Sequence, residues 1–501
     1  MILTLNLLAI AVLSAGSMIV EIVAGRIIAP YVGMSLYSWT AVIAVVLTGL
    51  SVGHLIGGWL SIGSLRRSML SLSVVGLAAA ATTLLILVAM PAVASWALAP
   101  SREPLTAILL FSLALFFPPS LFIGVPSPIL TKLAMDHGEV RSGIVLGTAF
   151  SAGAFGAIAG TMLAGYVFIS WIGSSGTLIA VAVVYAAFGA VSLAMAMRAK
   201  RGLTVLAIVI VAGLLAPQFK FVAAEGLSRV CDQESDYYCI RAVDVSDDHG
   251  RPAKLMILDH LGHGINFEAP DDGFAASYIA LMDQLASRRF ERDMSSFFIG
   301  GGAYTLPRAW ANRGNSVSVS EIDPAVTTAA EDKFWFASSP VSIHHQDARK
   351  LLRDASYSGR FDVVVGDAFR DIAVPPHLVT LEFAKLVRSR LQPDGIYLVN
   401  LVDHADRRLA LFAMVKTLAQ AFSNVEVWVD RSEARAGGRM TFVLYASERA
   451  SGLDNLAEPG RDGRAFARWP THDLARRIAG ARVPVLTDDY APIDRLIGVT
   501  Y

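Results

Sequence analysis

The chain has 501 residues, 54% of them hydrophobic and 17% charged, with equal numbers of acidic and basic side chains. A soluble protein ordinarily carries about 25% charge, and the deficit here falls in one place: residues 1–217 hold 13 charges and the other 284 hold 71. That partition excludes a single globular body, a disordered chain and a disulfide-dense scaffold. The balanced charge argues against a general nucleic-acid binder.

Residues 1–217 read as a multi-pass α-helical membrane domain. A crossing needs about 20 apolar residues, because a helix rises about 1.5 Å per residue through about 30 Å of hydrocarbon. Seven spans are predicted, at 3–28, 36–62, 69–90, 105–131, 142–169, 176–198 and 203–217. Turns are expected at Pro30–Ser35 and Ser170–Gly176, and breaks near Pro91, Pro118, Pro119, Pro126 and Pro128. The glycines of 142–169 suit close helix packing rather than a ligand site. Glu21, Arg26 and His54 lie in or near the apolar stretch and read as polar contacts or as a snorkelling arginine. Basic residues fall in alternate loops (Arg66 and Arg67; Lys132 and Arg141; Arg198, Lys200 and Arg201). With seven spans, the positive-inside rule puts the N-terminus inside and the charged half outside.

The charged half begins with a β-hairpin subdomain and a linking helix, at 218–290. Strands are expected at Tyr237–Val243 and Lys254–Leu258, with a turn at Asp247–Gly250 and a helix at about 272–288. From 291 to 501 the pattern is strand, glycines, helix, strand, acid. The apolar run Phe297–Ile299 enters Gly300, Gly301 and Gly302, a helix follows, and Ser316–Ser320 ends at Glu321. This is the first βαβ unit of a Rossmann-type, nucleotide-binding sheet: the glycines admit a ligand close to the backbone, and the acid at the second strand's tip meets ribose hydroxyls. Further strands end at Asp347 and at Asp367, where such sheets bind ligands. Any one of these acids taken alone could be a helix cap.

These residues resemble the spermidine/spermine synthase (polyamine aminopropyltransferase) family, in the bacterial membrane-fused form, over residues 229–500. The resemblance implies a class I methyltransferase-like fold and transfer of an aminopropyl group from decarboxylated S-adenosylmethionine to putrescine or a related polyamine, with release of methylthioadenosine. It makes Gly300, Gly301 and Gly302, Glu321, Asp347, Ala348 and Asp367 the donor site, with no metal. Asp367 and Asp371 correspond to the family's paired aspartates and would do the catalytic work. Asp259, His263, Tyr238 and Tyr278 fall at the amine side. It further implies a homodimer and an inner-membrane location. The family's donor chemistry favours the cytoplasm, against the loop charges. The sequence also departs from the family: Ala303 stands where an aspartate is usual, and the amine-side motifs are mostly changed. S-adenosylmethionine-dependent methyl transfer, or a polyamine- or nucleoside-binding transporter or sensor without turnover, are the alternatives.

Cys231 and Cys239 are the only cysteines. They are too few for a metal site, which leaves two free thiols or one disulfide; a disulfide would agree with an outside location. His344 and His345 read as a strand-end pair near the adenine pocket, and Asp403–Asp406 as a loop on the ligand side of the sheet.

Overall fold

The computed structural model describes residues 2–99, 101–136, 142–197, 230–269, 273–291, 293–370, 374–433, 438–458 and 464–497. The chain divides into two compact units, Met1–Val230 and Cys231–Thr500.

The first unit is helical: α1 Ile2–Val32, α2 Leu36–Leu60, α3 Leu65–Ala97, α4 Pro104–Gly124, α5 Pro126–Asp136, α6 Ser142–Leu163 and α7 Ile169–Ala196. Among the described residues, five helical stretches are long and apolar enough to cross a membrane, and the last runs from Ser142 to Ala196. That stretch reverses at Gly173, whose φ of 70° leaves the helical region. A Cβ on Gly160 would lie 2.3 Å from the Ala15 carbonyl oxygen, while Tyr185 donates its hydroxyl to the Leu13 carbonyl. In one continuous helix residues 160 and 185 would stand about 37 Å apart, yet both meet α1 within two residues. The turn expected at 170–176 is therefore present. The seventh expected span, 203–217, lies outside the described residues.

Two expected breaks are absent. Pro91 sits inside α3 and Pro118 and Pro119 inside α4, because packed neighbours tolerate a proline's lost hydrogen bond in apolar surroundings. The break expected near Pro126 is present, at Val125 between α4 and α5. Gly156 and Gly160 let α6 touch the α1 backbone, while Gly143, Gly147 and Gly165 face open space.

The second unit opens with a four-stranded antiparallel sheet, β1 Gln233–Glu234, β2 Cys239–Asp244, β3 Ala253–Leu258 and β4 Leu261–Phe267. The expected hairpin is thus extended by a strand on each side. Cys231 and Cys239 form a disulfide. Helix α8, Ser277–Arg289, leads into the larger sheet. Its strands are β5 Ser295–Ile299, β6 Ser316–Ser320, β7 Ser342–His344, β8 Phe361–Gly366, β9 Leu391–His404, β10 Asn424–Asp430, β11 Arg439–Ser447, β12 Asn455–Ala457 and β13 Ala465–Arg468. The order is β12-β13-β10-β11-β9-β8-β5-β6-β7. Strands β5 to β9 are parallel and β11 runs antiparallel to β9, the arrangement of a class I methyltransferase-like sheet.

Alternate residues of each central strand face opposite cores, as pleating requires. Phe297, Ile299, Val364 and Leu401 pack on one side; Phe298, Val319, Val365 and Leu398 pack on the other, against α8. Covered on both faces, the sheet leaves the C-terminal strand ends as the open surface, where such folds bind ligands.

Candidate functional site

A cavity of about 370 Å³ opens at those strand ends. Its first wall is the loop after β5. Gly300 has φ 94° and Gly302 φ 51°, conformations that exclude most side chains. The packing is also tight: a Cβ on Gly300 would lie 2.6 Å from the Asp367 carbonyl oxygen, and one on Gly302 2.9 Å from that of His263. The loop is thereby held between the end of β8 and strand β4.

Glu321, at the tip of β6, is buried. One carboxylate oxygen accepts from the Gly301 N–H at 2.7 Å and the other from the Asp323 N–H at 3.0 Å. Burial raises this carboxyl above its ordinary value, and the amides that point at it pull the other way. Glu321 thus fixes the glycine loop as well as lining the cavity. Asp347 also lines the cavity. It caps the short helix Ala348–Leu352 through the Lys350 N–H at 2.8 Å, and its second oxygen meets His377 Nε2 at 2.8 Å. The cap reading and the site reading hold together for this residue. Ala348 is buried at the wall beside it.

Asp367 follows β8. Asn400 Nδ2 donates to one of its oxygens at 2.8 Å and the Tyr278 hydroxyl to the other at 3.2 Å. Burial pushes its carboxyl above the usual carboxylate range, and the two donors oppose that. The Asn400 Oδ1 is buried and has no hydrogen-bond partner, although Asn400 lines the cavity. A buried acceptor left unmatched costs stability unless a ligand supplies the donor.

Tyr238, His263 and Tyr278 line the same cavity. Tyr238 donates its hydroxyl to the Phe369 carbonyl at 3.2 Å. Burial pushes the His263 imidazole down to about 4, so the ring is neutral at pH 7. Asp259 is buried at the strand end with φ 55°. One of its oxygens accepts from the Cys239 N–H at 2.9 Å, and the residue is not among those lining the cavity. Asp371 lies outside the described residues.

Among the cavity residues that escaped the sequence reading are His377, Asn400, Arg439 and Thr441. Asn400 had a signal, a lone polar side chain within the apolar run Ile396–Val402. Arg439 and Thr441 arrive on β11, antiparallel and far along the chain, with no local sign. His344 and His345 are not among the lining residues; His345 meets Thr327 Oγ1 at 3.0 Å. Asp403 is fully buried and accepts from the His404 and Leu411 N–H groups. It holds the start of the helix Leu409–Leu418 and is not among the residues lining the cavity.

No protein-family model matches the chain. A probable polyamine aminopropyl transferase of Bifidobacterium longum (strain NCC 2705) is 27% identical over 224 residues, covering 40% of this chain and 48% of the relative. A polyamine aminopropyltransferase of Vibrio vulnificus (strain CMCP6) is 32% identical over 104 residues, covering 20% of this chain and 35% of the relative. The chain thus spans half or less of the length of these curated relatives. The crystal structure of a probable spermidine synthase from Corynebacterium glutamicum ATCC 13032 aligns with a TM-score of 0.43 at 19% identity, over 50% of this chain and 94% of that one. The motifs and the curated relatives point the same way: this chain is similar to the polyamine aminopropyltransferases.

Proposed function

We propose that the Cys231–Thr500 unit moves an aminopropyl group from decarboxylated S-adenosylmethionine to an amine and releases methylthioadenosine. The observation that carries this reading is a half-buried carboxylate, Asp367, facing the same cavity as the glycine loop and the buried Glu321. Gly300, Gly301 and Gly302 with Glu321, Asp347 and Ala348 would receive the nucleoside. Asp367 would anchor the reacting amine, with Asp371 beside it in sequence. Tyr278 and Asn400 hold the Asp367 carboxylate in one orientation.

The step balances simply. The amine nitrogen's lone pair attacks the aminopropyl carbon bonded to sulfur, the carbon–sulfur bond breaks, and its electron pair stays on sulfur as a neutral thioether. The nitrogen then gives up one proton. A protonated amine cannot attack, so a carboxylate that binds it and accepts that proton serves catalysis. The sulfonium is already activated, and the remaining demand is alignment of nitrogen with carbon. We read the helical unit as a multi-pass anchor in the inner membrane.

The test uses the full-length chain in detergent with decarboxylated S-adenosylmethionine and an amine. Methylthioadenosine should appear, and Asp367→Asn should lower kcat/KM by about a hundredfold or more. Unchanged turnover in that variant would remove Asp367 from the reaction. Release of S-adenosylhomocysteine from S-adenosylmethionine would make the protein a methyltransferase, and nucleoside binding without product would make it a transporter or sensor.

A further inference from the structure

Resting on that donor reading, we infer that the second substrate is an amine carrying a negatively charged group, of the ω-amino carboxylate class, rather than a simple di- or polyamine. The inference starts from the part of the lining drawn from β4, α8, β9, β11 and the residues just before β2 and just after β8, the amine side of the cavity. A polyamine pocket needs anions, because each ammonium left facing a cation in a poorly solvated site costs free energy. Among the described residues on this side, Asp367 is the only carboxylate; each of its oxygens accepts one hydrogen bond, from Asn400 and from Tyr278, and keeps room for one ammonium. The other polar groups there are Tyr238, His263, Thr441 and the guanidinium of Arg439.

Arg439 is not an isolated cation. His260 is pushed down to about 4 by burial and then by the charges of Arg439 and Arg241, so both cations act on that ring. Strand register gives the spacing. Val402 stands opposite Thr441 and Asn400 opposite Val443. Side chains at these positions alternate, so Asn400, Val402, Thr441 and Arg439 share one face. Arg439 lies four residues beyond Val443, about 13 Å along the strand, and its long side chain can reach back over part of that distance.

One end of the cavity therefore offers Asp367 and the unmatched Asn400 Oδ1, which call for an N–H donor. The other end offers a guanidinium, which binds carboxylate oxygens in pairs. A molecule with an amine at one end and a carboxylate a few carbons away satisfies both. Its amine would undergo the transfer step already written, and its carboxylate would stay at Arg439 throughout.

The experiment compares ω-amino carboxylates with diamines of equal chain length as substrates of the full-length chain, reading methylthioadenosine. The carboxylates should have the higher kcat/KM, by tenfold or more, the factor that a charge-assisted hydrogen bond supplies. Arg439→Glu should reverse the preference and Arg439→Lys should keep its sign; thermal midpoints check that both variants are folded. Preference for diamines in the unaltered chain, or an unchanged preference in Arg439→Glu, overturns the proposal. If neither class is turned over, calorimetry decides. Methylthioadenosine and the carboxylate binding together supports the proposal. Methylthioadenosine binding while neither amine class binds overturns it and leaves the donor reading standing. Failure to bind methylthioadenosine overturns the donor reading and this proposal with it.

Discussion

The two walls of the cavity are built differently. The glycine-loop wall is largely backbone: three glycines, two of them at positive φ, and amides tied to Glu321. The other wall is side chains drawn from β4, α8, β9 and β11, namely His263, Tyr278, Asn400 and Arg439. A backbone wall can change little without losing its shape. A side-chain wall can exchange its charge while the strands stay in place. The comparison teaches where a new specificity can arise in this fold without disturbing the sheet.

The predictions press on that difference. The largest effect belongs to the carboxylate between the walls: Asp367→Asn is expected to abolish nearly all turnover while methylthioadenosine still binds, checked by kinetics and calorimetry. On the backbone wall, Gly300→Val forces a side chain into φ 94° and against the Asp367 carbonyl. It should cost about 1–3 kcal/mol of strain and more from the clash, read as a lowered thermal midpoint and lost methylthioadenosine binding. If Gly300→Val bound the nucleoside normally, the backbone account would be wrong.

The disulfide comes next. Replacing Cys231 and Cys239 with serine frees a short ring in the unfolded chain and should cost about 2–3 kcal/mol, read in chemical unfolding of the full chain. Asn400→Leu addresses the side-chain wall alone. The donor that holds the Asp367 carboxyl down is removed, so its folded value rises. The acid limb of the rate profile should then move to higher pH, with activity lost sooner as pH falls.

A further effect is on stability against pH. His260 and His263 titrate at about 4 in the fold, against about 6.5 unfolded. Between these values the unfolded chain binds protons that the folded chain refuses, so stability is intact above about 6.5 and declines as pH falls toward 4. His263→Asn should flatten that decline in an unfolding series.

What was legible in the sequence had a local cause. The charge partition marked the two units, Gly173 lay within an expected turn, and strand–glycine–helix–strand–acid marked the loop and Glu321. What was missed had a distant cause. Pro91, Pro118 and Pro119 look like breaks until neighbouring helices are present to tolerate them. Strand β4 is obscured by Gly262 and Gly264, which lower strand propensity, and its partner β3 supplies the pairing. Asp347 carries the same letter whether it caps a helix or lines a cavity, and here it does both. Arg439 enters the cavity only because β11 runs back beside β9.

The Cys231–Cys239 bond has a mechanical consequence. Cys231 is the first residue of the second unit, so tension entering along the chain from residue 230 reaches it first. The sulfur bridge passes that load straight to Cys239, whose N–H is held by Asp259 and whose carbonyl accepts from the Asp259 N–H. Residues 232–238 lie off this path, in a loop that the bridge closes and that β1 pairs to β2. Tyr238, which lines the cavity from that loop, is thereby shielded from pulling on the connecting chain.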